Sequence, residues 1–94
     1  MTAFMDKDFL ESIRKDIDRI DDSIADLLVR RMAAVDKIAS WKKKNGMPVA
    51  VPAREEEIIC NLREKAGDFC ADEIESVYRT IFAVSRKRQE KDVE

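Results

Sequence analysis

The sequence predicts an all-α fold with three helices per chain, one long and two shorter, in an intertwined homodimer. Three observations indicate helices. The 94 residues include only two Gly and two Pro, the residues that most often interrupt helices. Apolar residues recur at intervals of three and four from Leu10 to Leu27, which is the helical period. No stretch sustains the two-residue alternation of a half-buried strand.

The first helix is predicted from Asp6 or Asp8 to about Lys44, before the stop signal Asn45-Gly46. About 37 residues at about 1.5 Å each make a helix on the order of 55 Å long. That length is too great for a compact small domain, and the two shorter helices would leave its apolar face poorly covered. A second copy of the chain would cover it, which predicts the homodimer. We call the first six apolar positions of this face the apolar stripe: Leu10, Ile13, Ile17, Ile20, Ile24 and Leu27.

The two shorter helices follow a loop that contains Pro48. The second helix is predicted over Pro52–Ala66, with proline at its first position and Gly67 at its end. Asp72 is the predicted N-cap of the third helix, which runs to about Lys91. No repeat or low-complexity linker divides the chain, so we expect one domain over residues 1–94.

Composition excludes several kinds of function. The net charge of −2 gives no general attraction to nucleic acid or to a membrane surface. The chain has no His, and Cys60 and Cys70 lack the spacing of a metal set, so we expect no metal and no cofactor. Reduced thiols and an N-terminus without an apolar run favour a cytoplasmic location.

Polar residues stand where apolar faces should continue. Arg31 and Lys42 lie on the face of the first helix and Arg14 borders it, while Ser85 and Gln89 continue the face of the third helix. Buried charge is costly unless it is paired. The inward set holds four cations, Arg14, Arg31, Lys42 and Arg54, against the single carboxylate of Glu55. This excess predicts a small anionic ligand, with a dicarboxylate favoured and a phosphate as the alternative.

Simpler interpretations exist for these residues. A lone seam arginine can be a snorkelling cation or can set the register of a helix pair. The segment RKRQEK, residues 86–91, is interpreted as a charged surface face in which only Gln89 points inward.

Four segments in this order resemble the all-helical chorismate mutases, in particular the small bacterial domains fused to prephenate dehydratase or dehydrogenase. They are IRKDIDRIDDSIADLLVRR, KIASWKK, PVAVPAREEEI and IFAVSRKRQEK. The resemblance implies that Arg31 and Arg14, the latter lent by the partner subunit, bind the two carboxylates of chorismate. It also implies that Lys42 and Gln89 flank the ether oxygen of the breaking bond. The pair Arg54 and Glu55 matches the start of the family's second helix, where the glutamate takes the ring hydroxyl, and Ser85 matches a pocket-lining position.

Val51 departs from the family's pattern, which often has an acidic residue there. If that residue acts through its backbone, little is lost; if its carboxylate caps the second helix, this helix starts less firmly.

The implied reaction is the [3,3] rearrangement of chorismate to prephenate in phenylalanine and tyrosine biosynthesis, which needs no nucleophile, metal or cofactor. It would proceed by selection of the compact conformer and by electrostatic stabilisation of the ether oxygen. Two alternatives stay open: an isochorismate-pyruvate lyase on the same scaffold, and a non-catalytic or regulatory dimerisation module of a larger shikimate-pathway protein.

Overall fold

The computed structural model describes the backbone of residues 2–93 and the side chains of residues 6–91. Two helices make up almost all of this part, α1 (Thr2–Asn45) and α2 (Pro52–Val93), and the described residues contain no strand. The all-α class is therefore confirmed, but the predicted number of three helices is wrong. The helix α1 also begins before Asp6, because no Gly or Pro precedes that residue to interrupt it.

The loop between the helices has a defined stop and a defined start. Gly46 has a φ of 65°, and the Met47 N–H donates to the Lys42 carbonyl at 2.9 Å, which is the Schellman arrangement at a helix C-terminus. At the start of α2, the Val51 carbonyl accepts hydrogen bonds from the amides of Arg54 and Glu55 at 3.0 and 3.2 Å. Pro52 then occupies the first helical position, where its missing N–H costs nothing.

The helix α2 is interrupted where the sequence predicts a helix end. Gly67 adopts φ 61° and ψ −156°, and Cys70 adopts φ −153° and ψ 33°. A positive φ is readily adopted by glycine, which has no Cβ. Helical backbone continues directly on both sides, without a separating coil segment, so the predicted second and third helices are two arms of one element. We call residues 52–66 the first arm and residues 71–93 the second arm.

Ion pairs show that the two arms run antiparallel. Arg63 Nη1 lies 2.8 Å from Glu75 Oε1, 12 residues along the chain, whereas Arg86 Nη1 lies 2.5 Å from Glu55 Oε2, 31 residues away. Sequence separation that grows away from the break is the pattern of a hairpin. Asp72, the predicted N-cap, lies inside the helix, and its carboxylate accepts a hydrogen bond from Arg63 at 2.8 Å.

The chain divides into two compact units, Met1–Ala33 and Ala34–Glu94. The second unit has the buried apolar core, formed by Val35, Ala39, Ile59 and Phe82. The ring of Tyr78 packs edge-on against that of Phe82 at a centroid distance of 5.9 Å.

The first unit has no comparable core among its described residues. All six side chains of the apolar stripe are exposed, by 39–56%, so the stripe is not buried within one chain. None of the described helices is long and apolar enough to cross a membrane. The single domain over residues 1–94 stays a prediction.

Candidate functional site

Lys42 and Gln89 meet in the second unit, although 47 residues separate them in the chain. Lys42 lies in the last turn of α1, and its Nζ donates to Gln89 Oε1 at 2.9 Å and to the Val49 carbonyl at 2.8 Å. Gln89 is only 7% exposed and is the one buried polar side chain among the described residues. Burial of an amide is tolerated because the ammonium satisfies its oxygen.

The chemistry of the two groups fixes the orientation of the Gln89 amide. An ammonium has three N–H donors and no acceptor, so the amide must present its oxygen to Lys42. Its NH₂ group, which carries two donor hydrogens, is directed elsewhere. The contacts to Val49 and Gln89 occupy two of the three ammonium N–H groups. The donors that the pair has left for another acceptor are the third N–H of the Lys42 ammonium and the NH₂ group of the Gln89 amide.

A second polar pair stands next to the first on the second arm. Arg86 and Gln89 are three residues apart, and residues at this spacing are neighbours on a helix surface. Arg86 binds Glu55 at 2.5 Å, and the two side chains are 36% and 21% exposed. Ser85 is half-buried and its Oγ donates to the Ile81 carbonyl at 2.9 Å. The second unit thus brings Lys42 to Gln89, and it brings Glu55, in the first turn of α2, to Arg86 on the second arm.

Arg54 does not take the inward position that the sequence predicts. Its side chain is exposed and pairs with Glu57, one turn further along the first arm. The spacing explains this, because Arg54 and Glu55 point about 100° apart on the helix and only Glu55 faces the second arm. Val51 is half-buried and serves the start of α2 through its carbonyl rather than through its side chain.

Arg14 and Arg31 belong to the first unit. Arg14 is exposed and lies 3.5 Å from Glu11, a weak contact within one turn of α1. Arg31 is half-buried. Their predicted role at the substrate carboxylates stays a prediction.

Two groups of the site were missing from the sequence interpretation. The sequence places Arg86 in a charged surface face, but in the structure Arg86 pairs with Glu55. Arg88, in the same segment, binds both carboxylate oxygens of Asp36 at 2.7 and 2.9 Å. The spacing of Arg86 to Gln89 could have indicated its position. No sequence signal identifies the Val49 carbonyl, because a backbone group has no residue signature.

Further ion pairs join the two arms of α2, and the pKa values of Glu75 and Arg79 are shifted by their partners. Hydrogen bonds from Arg79, together with those from Arg63, lower the pKa of Glu75 below its ordinary value. Hydrogen bonds to Glu56 and Glu75 in turn raise the pKa of Arg79. The pairs of Arg63 with Glu75 and of Arg79 with Glu56 join the two arms of α2.

The described residues thus define an all-helical domain in which a lysine ammonium and a buried glutamine amide from distant turns meet. The comparison with protein families gives the particular family: the model for chorismate mutase type II matches residues 13–90. The chain therefore belongs to the chorismate mutase type II family, whose activity is that of an isomerase.

Curated relatives agree with this assignment. The chain is 33% identical over 87 residues to the "Bifunctional chorismate mutase/prephenate dehydratase" of Aquifex aeolicus, which covers 87% of this chain and 24% of that protein. It is 32% identical over 78 residues to the "T-protein" of Enterobacter agglomerans, covering 81% of this chain and 21% of that protein. The "T-protein" of Haemophilus influenzae is 34% identical over 79 residues. The chain thus spans about a quarter or less of the length of these relatives. No solved structure matches it at a comparable level.

Proposed function

We propose that this chain converts chorismate to prephenate, as its family assignment implies. The observation that carries the proposal is the 2.9 Å contact between Lys42 and Gln89, because it places a cation and a neutral amide, both of which have N–H donors, side by side. An ether oxygen that gains negative charge as its C–O bond breaks is an acceptor of that kind. Preorganised donors at developing charge are commonly the largest contribution to catalysis.

The chemistry requires nothing beyond such groups. In the rearrangement one C–O bond breaks and one C–C bond forms within the same molecule, so no atom, proton or electron enters or leaves. The protein has to hold the compact conformer with the reacting carbons close together and to stabilise the transition state. In the proposal Lys42 and Gln89 stabilise the ether oxygen. Glu55 accepts a hydrogen bond from the ring hydroxyl, and Ser85 lines the same pocket.

The resemblance supports the remaining assignments. Arg14 and Arg31 are proposed to bind the two carboxylates, with Arg14 supplied by the partner subunit, and Arg54 is proposed to contact the substrate after leaving Glu57. Val51 is proposed to serve through its backbone. The free thiols of Cys60 and Cys70 support a reducing, cytoplasmic location.

The exposed apolar stripe supports a homodimer. Six Leu and Ile side chains, each 39–56% exposed on one helix face, make a continuous apolar surface of the kind that marks a protein interface. Light scattering should give twice the chain mass, and Ile20→Asp should shift the protein toward monomer. The matched control Ser23→Asp lies on the same helix outside the stripe and should leave the mass unchanged. A monomeric wild type would overturn this part of the proposal.

The activity test is chorismate consumption by the purified chain, followed by ultraviolet absorbance, with the product identified by NMR. Prephenate as the product is expected. If isochorismate is consumed and chorismate is not, the lyase alternative replaces the proposal. If a folded dimer consumes neither, the chain is a module without turnover.

A further inference from the structure

We infer that Arg86 is a positioning residue that holds Glu55 ready for the ring hydroxyl of the substrate. The inference rests on the proposed function, because it concerns the role proposed for Glu55. Arg86 is assigned no role by the family resemblance, and its contact with Glu55 is an observation of this structure. The two side chains are 36% and 21% exposed, so the contact is partly shielded from water.

The geometry of the contact leaves the carboxylate able to bind a ligand. Arg86 Nη1 engages Oε2 of Glu55 at 2.5 Å. A carboxylate has two oxygens, each able to accept hydrogen bonds, so Oε1 can accept a hydrogen bond from a hydroxyl group. An ionised carboxylate can only accept hydrogen bonds, so a hydroxyl group bound to it must act as the donor. The contact with the guanidinium restricts the rotation of the Glu55 side chain.

The position of Arg86 on the helix places this contact beside the reacting groups. Arg86 is three residues before Gln89 on the second arm, and Gln89 is bound to Lys42. Glu55 lies in the first turn of α2, on the arm that contacts the second arm at this level. A ligand whose acceptor atom lies at Lys42 and Gln89 could bind the Glu55 carboxylate only through a hydrogen-bond donor. The Arg86–Glu55 pair would therefore select substrates that carry a free hydroxyl.

The competing explanation is that the pair only fastens the two arms of α2. Arg88 provides a matched control, since it lies two residues further along the same arm and forms an ion pair with Asp36 on a different element. Both arginines are partly exposed and both pair with a carboxylate across two helices. Only Arg86 is inferred to act on the substrate through its partner.

The test is a double-mutant cycle with Arg86→Gln, Glu55→Gln and the double variant, with kcat/KM for chorismate as the readout. Loss of a hydrogen bond between charged groups predicts a roughly tenfold lower kcat/KM for Arg86→Gln. The double variant should be no worse than Glu55→Gln alone, because Arg86 acts through Glu55. Arg86→Lys should recover part of the loss, and Arg88→Gln should stay within about twofold of the wild type.

A substrate analogue without the ring hydroxyl makes the test specific. For this analogue, Arg86→Gln and the wild type should have the same kcat/KM. The inference is wrong, while the proposed function stands, in any of three outcomes. These are that Arg86→Gln lowers kcat/KM equally for both substrates, that its effect multiplies with that of Glu55→Gln, or that it leaves kcat/KM for chorismate unchanged. If the folded wild type does not turn over chorismate, the proposed function is wrong and the inference falls with it. Circular dichroism and thermal melting identify variants that fail to fold. If Arg86→Gln is one of them, chorismate and the analogue are compared with Arg86→Lys, for which a smaller loss, confined to chorismate, is expected.

Discussion

Substitution of Gln89 separates its contribution to stability from its contribution to catalysis. In Gln89→Leu the Lys42 ammonium loses its 2.9 Å hydrogen bond to Oε1 and keeps the one to the Val49 carbonyl. A hydrogen bond to a charged group contributes about 1.5–3 kcal/mol. The lower value applies here because Lys42 is only half-buried, so water can reach its Nζ. At about 4–8 °C per kcal/mol for a domain of this size, the Tm should fall by about 6–12 °C.

Gln89→Glu is the matched variant, because glutamate has the shape of glutamine and its carboxylate also accepts from Lys42. Its Tm at neutral pH should be no lower than that of the wild type at the same protein concentration. It loses the N–H donors, however, and an ionised carboxylate would oppose negative charge on the ether oxygen. Loss of one such donor costs about 10²–10³ in kcat, so kcat at pH 8 should fall by that factor.

The pH dependence has a definite sign for both proteins. Gln89 needs no proton, so wild-type kcat should not fall steeply from about pH 6 to about pH 8. In Gln89→Glu the active form is the protonated acid, so kcat should rise as the pH is lowered. Stopped assays across this range, together with thermal melts, provide the measurement. Wild-type activity in Gln89→Glu at pH 8, or in Gln89→Leu, would refute the role given to the amide.

Other predictions concern the carboxylate-binding arginines, the start of α2 and one surface ion pair. Arg14→Ala and Arg31→Ala should each lose most activity. Equimolar mixing should restore about a quarter of the wild-type rate, because half of the dimers then contain one intact site. No recovery would mean that Arg14 acts within its own subunit or only in folding. Val51→Asp should raise the free energy of unfolding by about 1 kcal/mol, since a carboxylate can cap the amides that now use only the Val51 carbonyl; denaturant titration measures this, and an unchanged midpoint would contradict it. The Arg88 hydrogen bond lowers the pKa of Asp36 below 3.8, so its stabilisation is present above that pH and is lost as the pH falls through the lowered value. Arg88→Gln should therefore melt below the wild type at neutral pH and together with it in strong acid.

Local patterns of the sequence were enough to predict most of the helical structure. The three-and-four spacing of the apolar stripe, Gly46 at a positive φ and Pro52 at the first position of α2 each depend on residues within one or two turns. The position of the break at Gly67 was also predicted from its type. The helix count was wrong because residue type does not say whether helical backbone resumes at once after an interruption.

The site residues also differ in whether a local sequence feature identifies them. Lys42, Gln89, Ser85 and Glu55 were identified because each interrupts or continues an apolar face, which is a local feature. Arg86 was not, since it lies in a charged run that looks like a solvated surface.

Sequence alone determined that this protein is helical, that one long helix carries an apolar stripe, and that its polar interruptions are mostly cationic. Only the tertiary structure decided which of those polar groups meet. Lys42 reaches Gln89 across 47 residues and Arg86 reaches Glu55 across 31, and both contacts exist because packing in the second unit brings distant turns together. The physical reason is that helix formation depends on neighbours along the chain, whereas the pairing of polar side chains depends on neighbours in space.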